Sequence, residues 1–112
     1  VNLSRPIPKA LLPHNAILRT PRSGGIFADG AYDETSLYNV RIEQNEKIRQ
    51  GNAGEIRTRG ASLYYDRVNS SPCGVEFKSE QLILFGGEIY KIEAVKTVMA
   101  AAHIHHYRIE MV

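Results

Sequence analysis

Residues 81–96, QLILFGGEIYKIEAVK, constrain the possible fold more than any other part of this 112-residue chain. Two apolar-rich runs, 82–85 and 89–95, flank Gly86-Gly87. A Gly-Gly pair supplies the positive φ angles that a two-residue hairpin turn demands, so the stretch predicts a β-hairpin. In its second arm Ile89 shares a side with Lys91, and Tyr90 shares the other with Ile92, so both faces carry apolar groups. That suits a closed or doubly covered sheet better than a hairpin with one wet face. The run 103–112, HIHHYRIEMV, is rich in β-formers, has no breaker, and predicts a further strand.

Pro6, Pro8 and Pro13 exclude helix in the first thirteen residues and hold the backbone extended, with Ile7, Leu11 and Leu12 as side-chain anchors. Such an arm needs a neighbour to lie along, either its own barrel or another subunit. Residues 14–20 read as a first strand, stopped by Pro21 and by a flexible segment, 22–30, containing Gly24, Gly25 and Gly30. Residues 36–44, SLYNVRIEQ, alternate, with Tyr38, Val40 and Ile42 on one apolar face. From 45 to 54 the pattern fails, and this polar stretch with Gly51 and Gly54 reads as a mobile loop.

Strand character resumes over 55–69, where Gly60 marks a bulge or bend. Residues 69–74, NSSPCG, form a turn by composition, and 75–77 are a short edge strand or the approach to the hairpin. Residues 97–102, TVMAAA, have helix propensity for one turn at most. The sum is an all-β chain. A small, partly open β-barrel of about six strands over 14–112 follows an extended proline-rich N-terminal arm, 1–13.

Hydrophobic residues at 43% and charged residues at 23% are ordinary for one globular domain and argue against global disorder. A net charge of +2 is too small to imply a polyanion partner, although Arg41, Arg49, Arg57, Arg59 and Arg67 concentrate in the middle third. Cys73 is the only cysteine, so no intrachain disulfide forms and nothing points to secretion. No apolar run approaches the roughly 20 residues of a membrane helix, and the early prolines do not suit a signal peptide. The expectation is a soluble chain with no membrane partner, from which a few residues or a tag before Val1 were removed.

Several constellations invite a chemical reading. His103 and His105 share a strand face and could reach one metal with His14 or Glu110, His106 lying beside them, but histidines satisfied by backbone groups are the ordinary alternative. The carboxylates form no spaced acid/base pair. Cys73 lacks a nucleophile elbow and reads as a buried or half-buried turn residue. Gly86-Gly87 is not followed by a phosphate-binding helix start. Arg57, Arg59, Tyr64, Tyr65 and Arg67 could bind single-stranded nucleic acid, rings stacking on bases and guanidinium groups on phosphates, which makes a small-barrel nucleic-acid module the second reading. No catalytic residue, cofactor or metal is expected.

The segments RPIPKALLPH (5–14), LYNVRIE (37–43), LYYDRVNSSPC (63–73), LILFGGEIYKIEAV (82–95) and HHYRIEMV (105–112) together resemble the small minor capsid proteins of tailed phages and prophages. That family is similar in size and layout to head-completion or stopper proteins of the siphovirus connector. The resemblance implies a non-enzymatic virion protein: a small barrel in a homo-oligomeric ring below the portal and adaptor, which retains packaged DNA and receives the tail. It also implies that residues 43–59 match a channel-lining loop, which would place Glu46, Arg49, Arg57 and Arg59 at subunit or DNA contacts. The arm and segment 22–30 are the other expected subunit contacts. Before assembly such a protein resides in the host cytoplasm.

Overall fold

The computed structural model describes residues 5–21 and 32–112, and at 47, 49 and 56–59 the backbone alone. Segment 22–30, expected to be flexible, lies outside the described residues. The order of elements is a 3-10 turn η1 (Lys9–Leu11), then β1 (His14–Pro21), β2 (Tyr32–Gly51), β3 (Gly54–Asp66), β4 (Leu82–Phe85), β5 (Glu88–Ala100) and β6 (His103–Met111). The strands form a closed antiparallel barrel in the order β1-β2-β3-β6-β5-β4. Closure comes from β1 pairing with β4 at Ile17↔Leu84, Leu18↔Ile83 and Arg19↔Leu82.

Alternation along the strands fills the interior. Leu18, Leu37, Val40, Ile42, Leu63, Tyr65, Ile83, Tyr90, Ile92, Ile109 and Met111 are buried together, and Val75 and Phe77 from the 67–81 connection pack against them. The Phe77 ring stands edge-on to Tyr65 at 5.2 Å and tilted to Tyr107 at 6.2 Å, so an aromatic cluster occupies the end of the barrel where β3 finishes. Residues 75–77 are therefore the approach to the hairpin and not a strand. The predicted β4–β5 hairpin is present, with Gly86 at φ 59° and Gly87 at φ 79° in its turn.

Sequence pattern and structure part at four places. First, the stretch expected to be a mobile loop is the outer part of a long β2–β3 hairpin. The ladder runs without a break from Val40↔Tyr65 to Gly51↔Gly54, around a turn at Asn52 and Ala53. Period two reports burial on one side, and the described side chains at 46, 48, 50 and 55 are exposed, so paired strands read as loop. Second, Gly60 pairs in register with Asn45 and makes no bulge. Register slips instead where Asn15 faces both Tyr38 and Asn39, with Asn39 at φ 55°, and on β5 between Ile92 and Ala94 and between Val98 and Met99.

Asparagine tolerates that left-handed conformation, and the extra residue re-aims its neighbours. Leu37 and Val40 both point into the core, and Tyr38, expected on the apolar face beside Val40, is turned outward and is 50% exposed. Third, residues 97–100 continue β5 and only Ala101 and Ala102 turn, because pairing with β6 overrides alanine's helix preference. Fourth, the arm is extended only in part. Leu11 N–H donates to Pro8 C=O at 2.9 Å and Leu12 N–H to Lys9 C=O at 3.0 Å, closing the 3-10 turn that the prolines were expected to forbid.

Deleting side chains tests this division between barrel and projection. Leu63→Ala should cost about 2–5 kcal/mol in denaturant unfolding. Ile48→Ala, on the exposed hairpin, should change stability by about 0.5 kcal/mol or less. A comparable loss from both would show that the hairpin belongs to the core.

Candidate functional site

Beyond Gln44↔Ala61 the β2–β3 ladder continues as Asn45↔Gly60, Glu46↔Arg59, Lys47↔Thr58, Ile48↔Arg57, Arg49↔Ile56, Gln50↔Glu55 and Gly51↔Gly54. Among the described strands neither edge of this part has another partner, since β1 stops pairing at Val40 and β6 at Ala61. At about 3.3 Å per residue the projection is roughly 20 Å long. It contributes to principal extents of 46 × 36 × 27 Å and to a radius of gyration of 15.2 Å, where a compact chain of this length has about 13 Å.

Glu46, Arg49, Arg57 and Arg59 all fall on this projection. The register places positions 46, 48, 57 and 59 on one face and positions 47, 49, 56 and 58 on the other. Backbone register thus puts positions 57 and 59 on one face of the ribbon and position 49 on the other. Ile48 is 56% exposed there, a large apolar side chain with no core to join. Residues 45–60 carry four basic and two acidic residues, a mild positive excess.

At the opposite end of the barrel the N-terminal arm is clamped to its own chain, which settles for residues 5–13 the choice between own barrel and neighbour. Asp66, fully buried, accepts from Ile7 N–H through Oδ1 at 2.9 Å, and through Oδ2 from Val68 and Asn69 N–H at 3.0 and 2.8 Å. Asn69 Nδ2 donates to Ile7 C=O at 2.8 Å. Leu12 is buried, and Leu11, Ile7 and Tyr64 form a shallow apolar depression with Arg41 and Glu43. Nothing in the sequence pattern singles out Asp66; a lone acid at a strand end followed by Asn69 and Ser70 is a turn signal.

The histidine cluster belongs to this clamp. A carbonyl can only accept, so His105 Nε2 donates to Arg5 C=O, and with His105 neutral its Nδ1 accepts from His106 Nδ1 at 2.8 Å. His14 opens β1, which β2 and β3 separate from β6, and its Nδ1 accepts from Ile42 N–H at 3.0 Å. Glu110 is bound to Arg108 at 2.8 Å and accepts from Ser62 Oγ at 3.0 Å. Among the described residues no three His, Cys, Asp or Glu side chains converge on a common metal position.

The nucleic-acid constellation also comes apart. Tyr65 is buried inside the barrel, donating to Pro72 C=O, and burial pushes its hydroxyl pKa up, with Cys73 and Tyr107 adding to the effect. Tyr64 faces outward with the Arg108 guanidinium 5.8 Å from its ring centre. Adjacent rings on opposite faces of a strand make no stacking platform. Cys73 is exposed, contrary to its expected burial. It follows a cis Ser71-Pro72 bond in a turn that faces solvent.

Two measurements probe the clamp. Asp66→Ala orphans three N–H groups and should cost about 2–4 kcal/mol, with accelerated amide exchange at Ile7. Unchanged exchange there would mean that Asp66 does not hold the arm. His106 lies below the ordinary histidine value of 6.5, chiefly through burial and then through His105, with Asp66 opposing and Arg108 assisting. A lowered folded value means that the unfolded chain binds the proton more readily, so the His106 contribution is complete above about pH 6.5 and is lost as pH falls through the folded value. Stability should decline as pH falls below about 6.5, and His106→Gln should flatten that slope.

A search against curated proteins returns no match. A family model described as "Minor capsid protein" matches residues 8–111, nearly the whole chain and every strand of the barrel. That family consists of structural proteins of phage particles, in keeping with a surface whose features are a projecting ribbon and a clamped arm. The chain belongs to the phage minor capsid protein family.

Proposed function

We propose that this minor capsid protein acts at the head-to-tail connector, as one subunit of a ring that continues the DNA channel below the portal and adaptor, retains packaged DNA and receives the tail. The observation that carries this reading is the β2–β3 hairpin projecting beyond the closed barrel. A barrel without open edges packs as a rigid block in a ring wall, and a ribbon of paired strands can reach from that wall into a channel.

The ribbon's mild positive excess attracts the phosphate backbone without reading sequence, which suits a duct through which the whole genome passes. Arg57 and Arg59 would meet DNA on one face, tempered by Glu46 on the same register face, while Arg49 on the other face meets the neighbouring ribbon. The two unpaired edges can accept a neighbour's strand, so a circle of ribbons can close the channel when DNA must be held.

Deleting the gene in the parent phage or prophage and imaging the particles after induction tests the reading. DNA-filled or leaking heads beside unattached tails are expected; normal virions would overturn it. Within a connector, Arg57→Glu combined with Arg59→Glu should lower DNA retention and infectivity at least tenfold. Unchanged retention would remove these arginines from the channel wall.

A further inference from the structure

One feature of the barrel wall is used neither by the core nor by the projecting ribbon. A groove of about 540 Å³ runs over β4, β1 and β2, floored by Ile17 and Phe85 and rimmed by Asn15, Tyr38, Glu88 and Ile89. Tyr38 and Ile89 are 50% and 52% exposed, so an aromatic and an aliphatic side chain stand in water on either side of a concave apolar floor. Contiguous exposed apolar surface of this kind marks an interaction site, and tyrosine is among the residues that carry most binding energy.

The outward position of Tyr38 is firmly built. Its N–H donates to Ser71 C=O at 2.8 Å and its C=O accepts from Ser71 N–H at 3.0 Å. The next residue, Asn39, sits at φ 55°, takes the Asn15 side chain on its N–H at 3.4 Å and gives its C=O to Ser70 Oγ. A left-handed residue held at both its N–H and its C=O keeps this tyrosine on the outer wall.

The same chain carries a matching ridge. The 3-10 turn Lys9–Leu11 is fixed from beneath by Leu12, which is buried, and presents Leu11 at 51% exposure with exposed Lys9 beside it. It lies next to Arg41 and Glu43 on β2, three to five residues along the strand from Tyr38, or roughly 10–17 Å. Ridge and groove are therefore different patches on one barrel. An apolar knob with a lysine fits an apolar groove with a glutamate, and a contact between unlike patches repeats head to tail until its rotation closes a ring.

We propose that the groove is the socket for the Lys9–Leu11 turn of a neighbouring copy, Leu11 entering between Tyr38 and Ile89 and Lys9 approaching Glu88. This rests on the ring reading above and names the contact that makes the ring. The test is disulfide trapping in particles assembled with Cys73→Ser protein that also carries Leu11→Cys and Ile89→Cys. Oxidation should give a ladder of multimers of this chain, absent when either cysteine is introduced alone. Dimers from Ile89→Cys alone would mean that the groove packs on itself, and a cross-link from Ile89→Cys to a different virion protein would mean that it takes that protein. Either result, or no cross-link in particles that contain the doubly substituted chain, overturns the proposal. A ladder in particles whose deletion phenotype lies elsewhere than the connector would keep the subunit contact and discard the connector. Exchange of Tyr38→Asp for the cysteine pair should reduce incorporation into particles at least tenfold, with the thermal transition of the isolated protein retained as a control for folding.

Discussion

Three residue pairs between β1 and β4 join the ends of the sheet, and the remaining architecture depends on them. Once Ile17, Leu18 and Arg19 pair with Leu84, Ile83 and Leu82, the sheet has no free edge around its girth, and the inward residues of all six strands meet in one apolar interior. β4 has only four residues, so the seam is short and relies on the tight Gly86-Gly87 turn to deliver the strand in register. Closure also determines where free edges remain. They occur where strands outrun their neighbours, above all on the β2–β3 ribbon.

A closed barrel has two ends to protect, and the chain treats them differently. Phe77 and its aromatic partners occupy the end where β3 finishes, and nearby Asp66 gathers the following turn and the N-terminal arm through three N–H donors. Burying a carboxylate is costly unless its lone pairs are used, and here the cost is offset by bonds that fix two otherwise irregular segments. At the other end the wall rises into the ribbon, while Tyr90, buried, accepts a hydrogen bond from Gln44 at 2.8 Å at its base. Such a molecule has one braced end and one reaching end.

The bulge at Asn39 links core and surface in a single residue. Without it, strict alternation could turn only one of Leu37 and Val40 inward: counting from Leu37 it would send Val40 outward, and counting back from Val40 it would send Tyr38 inward and Leu37 outward. With it, Leu37 and Val40 both pack inside, and Tyr38 is released to the wall beside the β4–β5 turn. Interior packing and the apolar groove are therefore consequences of one left-handed asparagine.

What the sequence determined by itself was the set of strands that face a core and the turns between them. The Gly86-Gly87 hairpin, the strands at 14–20 and 103–112, and the all-β barrel class are legible because one-sided burial imposes period two and tight turns demand particular residues. Only the tertiary structure decided the rest. It showed that residues 45–60 are a paired ribbon, because ladder hydrogen bonds join backbone to backbone and leave no hydrophobic signature. It placed the bulge at Asn39 and not at Gly60, since pairing across β1 and β2, and not glycine content, sets where the register slips. It gave Asp66 its role in the clamp, because its donors come from residues 59 positions away as well as from the adjoining turn. It also put Tyr64 and Tyr65 on opposite faces of β3, since neighbours along a strand point to opposite sides.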